Sequence, residues 1–168
     1  MIKLRNSAVA FLFNEDKVLL LKRAASMQIA PNKWSGVGGH LKESEINSPL
    51  TACYREICEE TGIKEENIFD LELKYVIYRM DRNEIRQHYI YFGKTNKTEV
   101  INTTEGDLHW ILIKDLLNKD YTMTFKKMLE HFTETGQKDN CVYAGIVVND
   151  NERLNINWSI LEDTAKLN

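Results

Sequence analysis

The segment SPLTACYREICEETG, residues 48–62, carries a start signal and a stop signal for one α-helix. Ser48 is a typical N-cap, Pro49 is favoured at the first helical position, and Gly62 suits the residue just past a helix end. At roughly 100° per residue, the apolar side chains share one stripe. That stripe, which must face a core, consists of Leu50, Cys53, Tyr54 and Ile57.

Three carboxylates, Glu56, Glu59 and Glu60, fall on an arc of roughly 100° beside the apolar stripe. Like-charged pairs three or four residues apart destabilise a helix by about 0.2–0.5 kcal/mol each, and the helix dipole disfavours anions in the last turn. A bound divalent cation such as Mg²⁺ or Mn²⁺, which prefers oxygen ligands, removes both penalties. The alternative is a charged helix face with Arg55 as a local partner. The glycines upstream favour the metal site, and Glu60, next to the stripe, is not expected to be fully solvated.

The rest of the chain reads as strands interrupted by one further helix. Hydrophobic patterning predicts an amphipathic helix at 122–134 and strands at 3–13, 17–23, 68–80, 85–93, 108–113 and 141–148. Residues 24–33 and the glycine-rich stretch after them are expected to be loops, and the tail beyond 148 is weakly patterned. We therefore predict an α+β fold with a mixed sheet sandwiched between helices in α/β/α layers. Residues 1–168 form a single domain, with a core of about 1–136 and a strand-containing extension of about 137–168.

Charge and composition exclude several classes of protein. The net charge of -3 argues against a nucleic-acid-coating surface, which would be basic. No stretch approaches the roughly 18 apolar residues of a membrane span, and the N-terminus lacks the layout of a signal peptide. We expect a cytoplasmic protein whose cysteines, Cys53, Cys58 and Cys141, are buried free thiols.

The helix and the glycines before it resemble the signature of the Nudix hydrolases, G-x₅-E-x₇-R-E-U-x-E-E-x-G-U, where U is a bulky aliphatic residue. The matching residues are Gly39, Glu45, Arg55, Glu56, Ile57, Glu59, Glu60, Gly62 and Ile63. Nine residues, not seven, separate Glu45 from Arg55, so counting back from Arg55 puts the first glutamate at Asn47 instead. We place the two extra residues in the loop before Ser48.

The resemblance implies a Nudix fold and the hydrolysis of a nucleoside diphosphate linked to another group. It implies that Glu56, Glu59, Glu60 and the backbone near Gly39 bind Mg²⁺, with Mn²⁺ as an alternative, and that Arg55 orients a carboxylate. TTEGDLHW resembles a later loop that supplies a base or a further ligand, so Glu105 is the candidate, although it also reads as a turn residue. Substrate contacts are expected from Arg23, which also reads as a surface cation, and from Gly38 and His40.

The resemblance also narrows the substrate, which is a small nucleotide. Pro31 and Pro49 are the only prolines, so the downstream prolines of ADP-ribose and NADH hydrolases are absent. With these classes eliminated, we favour a nucleoside triphosphate as the substrate, and 8-oxo-dGTP is the first candidate. It would be cleaved to a nucleoside monophosphate and pyrophosphate. Dinucleoside polyphosphates, other nucleotide derivatives and a non-catalytic sensor domain remain alternatives, and a homodimer is an assembly that the sequence allows. Aromatic side chains that could stack on a base are Trp34, Tyr75, Tyr78, Tyr89 and Trp110.

Overall fold

The computed structural model describes residues 1–101, 103–150 and 153–167. Within them the chain forms two α-helices, α1 (Pro49–Thr61) and α2 (Met123–Glu134). It also forms nine strands: β1 (Lys3–Asn14), β2 (Lys17–Arg23), β3 (Trp34–Ser35), β4 (Val37–His40), β5 (Ile68–Asp81), β6 (Glu84–Thr95), β7 (Gly106–Leu112), β8 (Val142–Asp150) and β9 (Arg153–Leu161).

All nine strands belong to one mixed sheet. Its main order is β3-β2-β1-β6-β5-β8-β9, while β4 pairs with β1 and β7 pairs with β2. β1 runs parallel to β6 and β5 runs parallel to β8, whereas the other pairs are antiparallel. The predicted mixed sheet is therefore confirmed.

Alternation along β1 divides the core into two layers, because successive side chains point to opposite faces of a sheet. Ala8, Ala10 and Leu12 pack in the layer that contains Ala52, Cys53 and Ile57 of α1. Val9 and Phe11 pack in the other layer, with Met128, Leu129 and Phe132 of α2. One helix thus covers each face, which confirms the α/β/α layering.

Helix α1 has the limits that its sequence predicts. It begins at Pro49, and Gly62 ends it in the left-handed region at φ 76°, with its N–H donating to the Cys58 carbonyl at 3.0 Å. The expected apolar stripe is wrong at Leu50, which is 40% exposed. The buried face follows Cys53, Ile57 and Glu60 instead, so the helix turns its last carboxylate inward.

Three further expectations are corrected. The glycine-rich stretch is not a loop, because β4 pairs Gly38 with Val9 and Gly39 with Ala8. The tail contains β9, an outer strand whose exposed face hides the alternation that identifies strands. Only Cys53 is buried, while Cys58 is exposed and Cys141 is half-buried, and all three are free.

No helix of the described residues is long and apolar enough to cross a membrane.

Candidate active site

The last turn of α1 places Glu60 against β4. The Gly38 N–H donates to Glu60 Oε2 at 2.8 Å. The other oxygen, Oε1, is buried and has no hydrogen-bond partner among the described residues. Burial raises the pKa of Glu60 to about 8, against the opposing effect of the Gly38 hydrogen bond, and the nearby carboxylates of Glu105 and Glu56 raise it further.

Glu56 occupies the space that a side chain at Gly39 would fill. A Cβ built on Gly39 would lie 2.6 Å from Glu56 Oε2 and 2.7 Å from Oε1. Burial raises the pKa of Glu56, although the hydrogen bond from Arg55 opposes the shift. The two glycines of β4 therefore position two of the three helical carboxylates. Gly38 donates its N–H to Glu60, and Gly39, which has no side chain, lets Glu56 approach the strand.

Arg55 binds three carboxylates at once. Its Nε and Nη2 donate to the two oxygens of Glu45 at 2.7 and 2.8 Å. Its Nη1 donates to Glu56 at 2.7 Å and to Glu59 at 2.9 Å. Nη2 also donates to the His40 carbonyl at 3.2 Å. The guanidinium thus acts as the local counter-charge of the glutamate face, and the pKa of Arg55 is raised, chiefly by the hydrogen bond to Glu45.

The structure places Glu45, not Asn47, against Arg55. Glu45 ends the short 3₁₀ turn Glu43–Glu45 and is buried, whereas Asn47 is exposed. The hydrogen bond from Arg55 lowers the pKa of Glu45 to about 2, and the Lys42 N–H, which donates to Oε2 at 2.8 Å, adds to the effect. The two extra residues of the box lie between this turn and α1, so they lengthen the loop without displacing Glu45.

Two of the remaining candidates, Glu105 and Arg23, lie where β2 meets β7, and His40 lies at the end of β4. The Ala24 N–H donates to the Glu105 carbonyl at 2.8 Å, so Glu105 is fixed next to the end of β2. Its half-buried side chain is near enough to raise the pKa of Glu60. Arg23 Nε donates to the Ile29 carbonyl at 3.0 Å. His40, at the end of β4, has a pKa that burial lowers.

A divalent cation suits this set of donors. Glu60 Oε1 is a buried acceptor without a donor, Glu56 is seated beside it, and both carboxylates are hard oxygen ligands. Among the described residues, no group of three or more His, Cys, Asp or Glu side chains is arranged so that it could hold a metal ion. Arg55 Nη1 donates to only one oxygen of Glu56 and one of Glu59, so Arg55 can orient both carboxylates while their second oxygens bind a metal ion.

A cleft of about 180 Å³ opens beside β4 on the α2 side of the sheet. Gly38, Gly39, His40 and Arg23 line it, and so does Trp34, which is the one of the five proposed stacking residues found there. Tyr75, by contrast, is fully buried in the core.

Arg5, Arg79, Arg86 and Thr124 are among the cleft residues that the sequence patterns do not indicate. They belong to no motif, and only the strand register and the position of α2 bring them together. Arg5 alternates with Ser7 and Arg86 with His88, so each pair projects to one face of its strand. This pattern indicates a shared site only once the pairing of β1 with β6 is known.

The family model for the NUDIX domain matches residues 3–132. This layered sheet with its carboxylate helix is the Nudix fold, and the chain belongs to the Nudix family, as a Nudix-type pyrophosphohydrolase. No curated protein matches the sequence.

Solved structures show the same fold at low sequence identity. The mutator MutT protein from Bacillus halodurans has a TM-score of 0.69 and 19% identity, covering 92% of this chain and 97% of its own. An Ap4A hydrolase from C. elegans has a TM-score of 0.60 and 17% identity, covering 82% and 100%. The NUDIX domain of Shewanella oneidensis NrtR, solved with ADP ribose, has a TM-score of 0.61 and 20% identity, covering 80% and 88%.

Proposed function

We propose that this protein is a divalent-metal-dependent pyrophosphohydrolase whose substrates are nucleoside triphosphates, oxidised ones such as 8-oxo-dGTP included. The products are a nucleoside monophosphate and pyrophosphate. The observation that carries the proposal is Glu60, a buried carboxylate with a raised pKa and an unpartnered Oε1. Such an oxygen costs stability in the free protein, and a cation supplies its missing partner.

In this proposal, Glu56, Glu59 and Glu60 hold Mg²⁺, with Mn²⁺ as a substitute. Held by these carboxylates, Mg²⁺ would supply positive charge against the diphosphate and would make an attacking water more acidic. The Gly38 N–H keeps Glu60 oriented, and Gly39 leaves room for Glu56 to approach the strand.

The neighbouring side chains position these acids and the substrate. Arg55, held by Glu45 on one edge of its guanidinium, fixes Glu56 and Glu59 with the other. Glu105 lies near Glu60 and is the proposed base that takes a proton from the attacking water. Arg23 at the end of β2 lines the cleft and is available for a phosphate.

The test is a substrate panel with purified protein and Mg²⁺. Nucleoside triphosphates, 8-oxo-dGTP, ADP-ribose, nucleotide sugars and dinucleoside polyphosphates are incubated, and the products, which include nucleotides, sugar phosphates, pyrophosphate and phosphate, are separated by ion-exchange chromatography and measured. We expect metal-dependent release of pyrophosphate from the triphosphates, and none from Glu60→Gln protein. Turnover of a different member of the panel would replace the substrate, while metal binding without any turnover would point to a sensor domain.

A further inference from the structure

Three arginines form a row across three adjacent strands. Arg5 of β1 pairs with Arg86 of β6, and Arg86 pairs with Arg79 of β5. Directly paired residues project to the same face of a sheet, and like charges placed opposite each other are destabilising. All three arginines line the cleft at the end away from β2.

Acidic residues offset this charge only from outside the cleft. Arg5 binds Glu84 at 3.0 Å, and Arg86 binds Glu84 at 2.7 Å and Asp81 at 3.2 Å. Neither acid lines the cleft, and in the described part of the chain none of the lining residues is Asp or Glu. The full set of lining cations is Arg5, Arg23, Lys33, Arg79 and Arg86, in a chain whose net charge is -3.

The N-terminus of helix α2 also lies at this cleft. Thr122, at its N-cap position, and Thr124 line the cleft, and the first turn contains no acidic residue. Helix N-termini carry free N–H groups and favour anions. Thr124 is only 6% exposed, and its Oγ1 has no hydrogen-bond partner among the described residues. This hydroxyl is therefore a buried donor without an acceptor inside a cleft of cations.

The next row of side chains adds a hydroxyl and a neutral imidazole to the cleft. Ser7 and His88 pair across β1 and β6, and Ser7 Oγ lies 2.6 Å from His88 Nδ1. Burial, together with Arg86 and Arg79, lowers the pKa of His88 to about 4, so the ring is neutral at pH 7. Arginines, a free helix terminus and neutral hydroxyls are the groups that bind phosphate.

We propose that the arginine row Arg5–Arg86–Arg79 and Thr124 bind a terminal phosphate of the substrate, distinct from the diphosphate linkage that is cleaved. The inference rests on the proposed function, because the cleft runs from this row to Gly38 and Gly39, which contact Glu60 and Glu56. A ligand that fills the cleft would contact both the arginine row and these two glycines. The enzyme then selects diphosphates that end in a charged phosphate over those that end in a neutral sugar or nucleoside.

Binding of an inorganic anion tests the site without requiring turnover. Calorimetry with inorganic tripolyphosphate, at low salt and with EDTA, measures the affinity of the metal-free protein. Arg79→Gln removes a charge without breaking any ion pair described above, and we expect about a tenfold loss of affinity. Arg82→Gln, in the exposed β5–β6 hairpin and outside the cleft, is the charge-matched control and should bind as wild type. Equal losses in the two variants would overturn the proposal.

Thr124→Val separates binding from folding. Removing an unpartnered buried hydroxyl should leave the melting temperature unchanged or higher, because no hydrogen bond is lost. We expect the tripolyphosphate affinity nevertheless to fall severalfold. Unchanged affinity in this variant would show that the helix terminus does not contact the anion and would overturn its part in the site.

Turnover then tests selectivity. In Arg79→Gln, kcat/KM for a nucleoside triphosphate should fall about tenfold, while kcat/KM for ADP-ribose, whose second end is a neutral sugar, stays constant. An equal fall in kcat/KM for both substrates would overturn the proposed selectivity. A larger fall for ADP-ribose would also overturn it, because it would show that the arginine row binds the end that lacks a phosphate. If wild type cleaves nothing in the panel, the proposed function fails, whereas the anion-binding measurement still decides on the site.

Discussion

At the scale of single residues, Glu60 couples folding to pH. Its pKa is raised from 4.5 to about 8, so between these values the unfolded chain has lost a proton that the folded protein keeps. The folded state is therefore favoured at the acidic end of this window and loses stability as pH rises through it.

We expect the free energy of unfolding of the metal-free protein to fall between about pH 6.5 and pH 8, because at lower pH the proton that the unfolded chain binds at His88 offsets the effect of Glu60. Glu60→Gln should flatten this slope, because the amide does not titrate and its oxygen still accepts from Gly38. Urea titrations with EDTA across the window measure it. The same slope in the variant would mean that another group carries the effect.

Arg55 supplies a second prediction at this scale. Lysine keeps the charge but cannot place one planar fork against Glu45, Glu56 and Glu59 together. We expect Arg55→Lys to lower kcat by about tenfold or more and to reduce the melting temperature of the metal-free protein. Lys64→Arg, at an exposed position just past α1, is the control. Wild-type kcat in Arg55→Lys would show that the fork does not position the acids.

At the scale of elements, the contact between β4 and α1 separates activity from stability. Gly39→Ala puts a methyl group into the Glu56 carboxylate and should reduce kcat at least tenfold with the fold retained. Gly62→Ala acts at the other end of the helix, where φ is 76°, and should cost about 1 kcal/mol with kcat unchanged. Kinetics and denaturant titration of the two variants check this. Equal activity loss in both would mean that they simply disturb α1.

The same elements show which structure a sequence predicts. The limits of α1 follow from Pro49 and Gly62, since these signals are local, whereas Ser48 occupies the N-cap position without a capping hydrogen bond from its side chain. The strand β4 was missed because glycines normally indicate a turn, whereas here they pair with β1 so that the acids can approach. The rotation of α1 that buries Glu60 and exposes Leu50 depends on packing against the sheet, which periodicity alone does not give.

At the scale of the whole molecule, the C-terminal strands belong to the same sheet as the site. Lys74 of β5 binds Asp139 at 2.8 Å, and the Trp158 ring of β9 lies 5.0 Å from Tyr75 and 4.7 Å from His131. These contacts attach β8 and β9 to the α2 layer. The arginine row, similarly, exists only when β1, β5 and β6 are in register, which is why no linear motif indicated it.

We expect Trp158→Ala to destabilise the protein by about 2–4 kcal/mol while unfolding keeps a single transition. Ser159→Ala, on the exposed side of β9, should stay within about 0.5 kcal/mol of wild type. Calorimetry measures both. A separate early transition in Trp158→Ala would show that the β8–β9 hairpin unfolds on its own.

The position of Arg55 among the acids has a consequence for how the protein is made. Because a guanidinium of the chain itself neutralises the glutamates, the polypeptide carries a built-in substitute for the ion it is proposed to use. We therefore expect the chain to fold with its glutamates bound to Arg55, before it binds an ion. Folding and metal binding are then two separate steps.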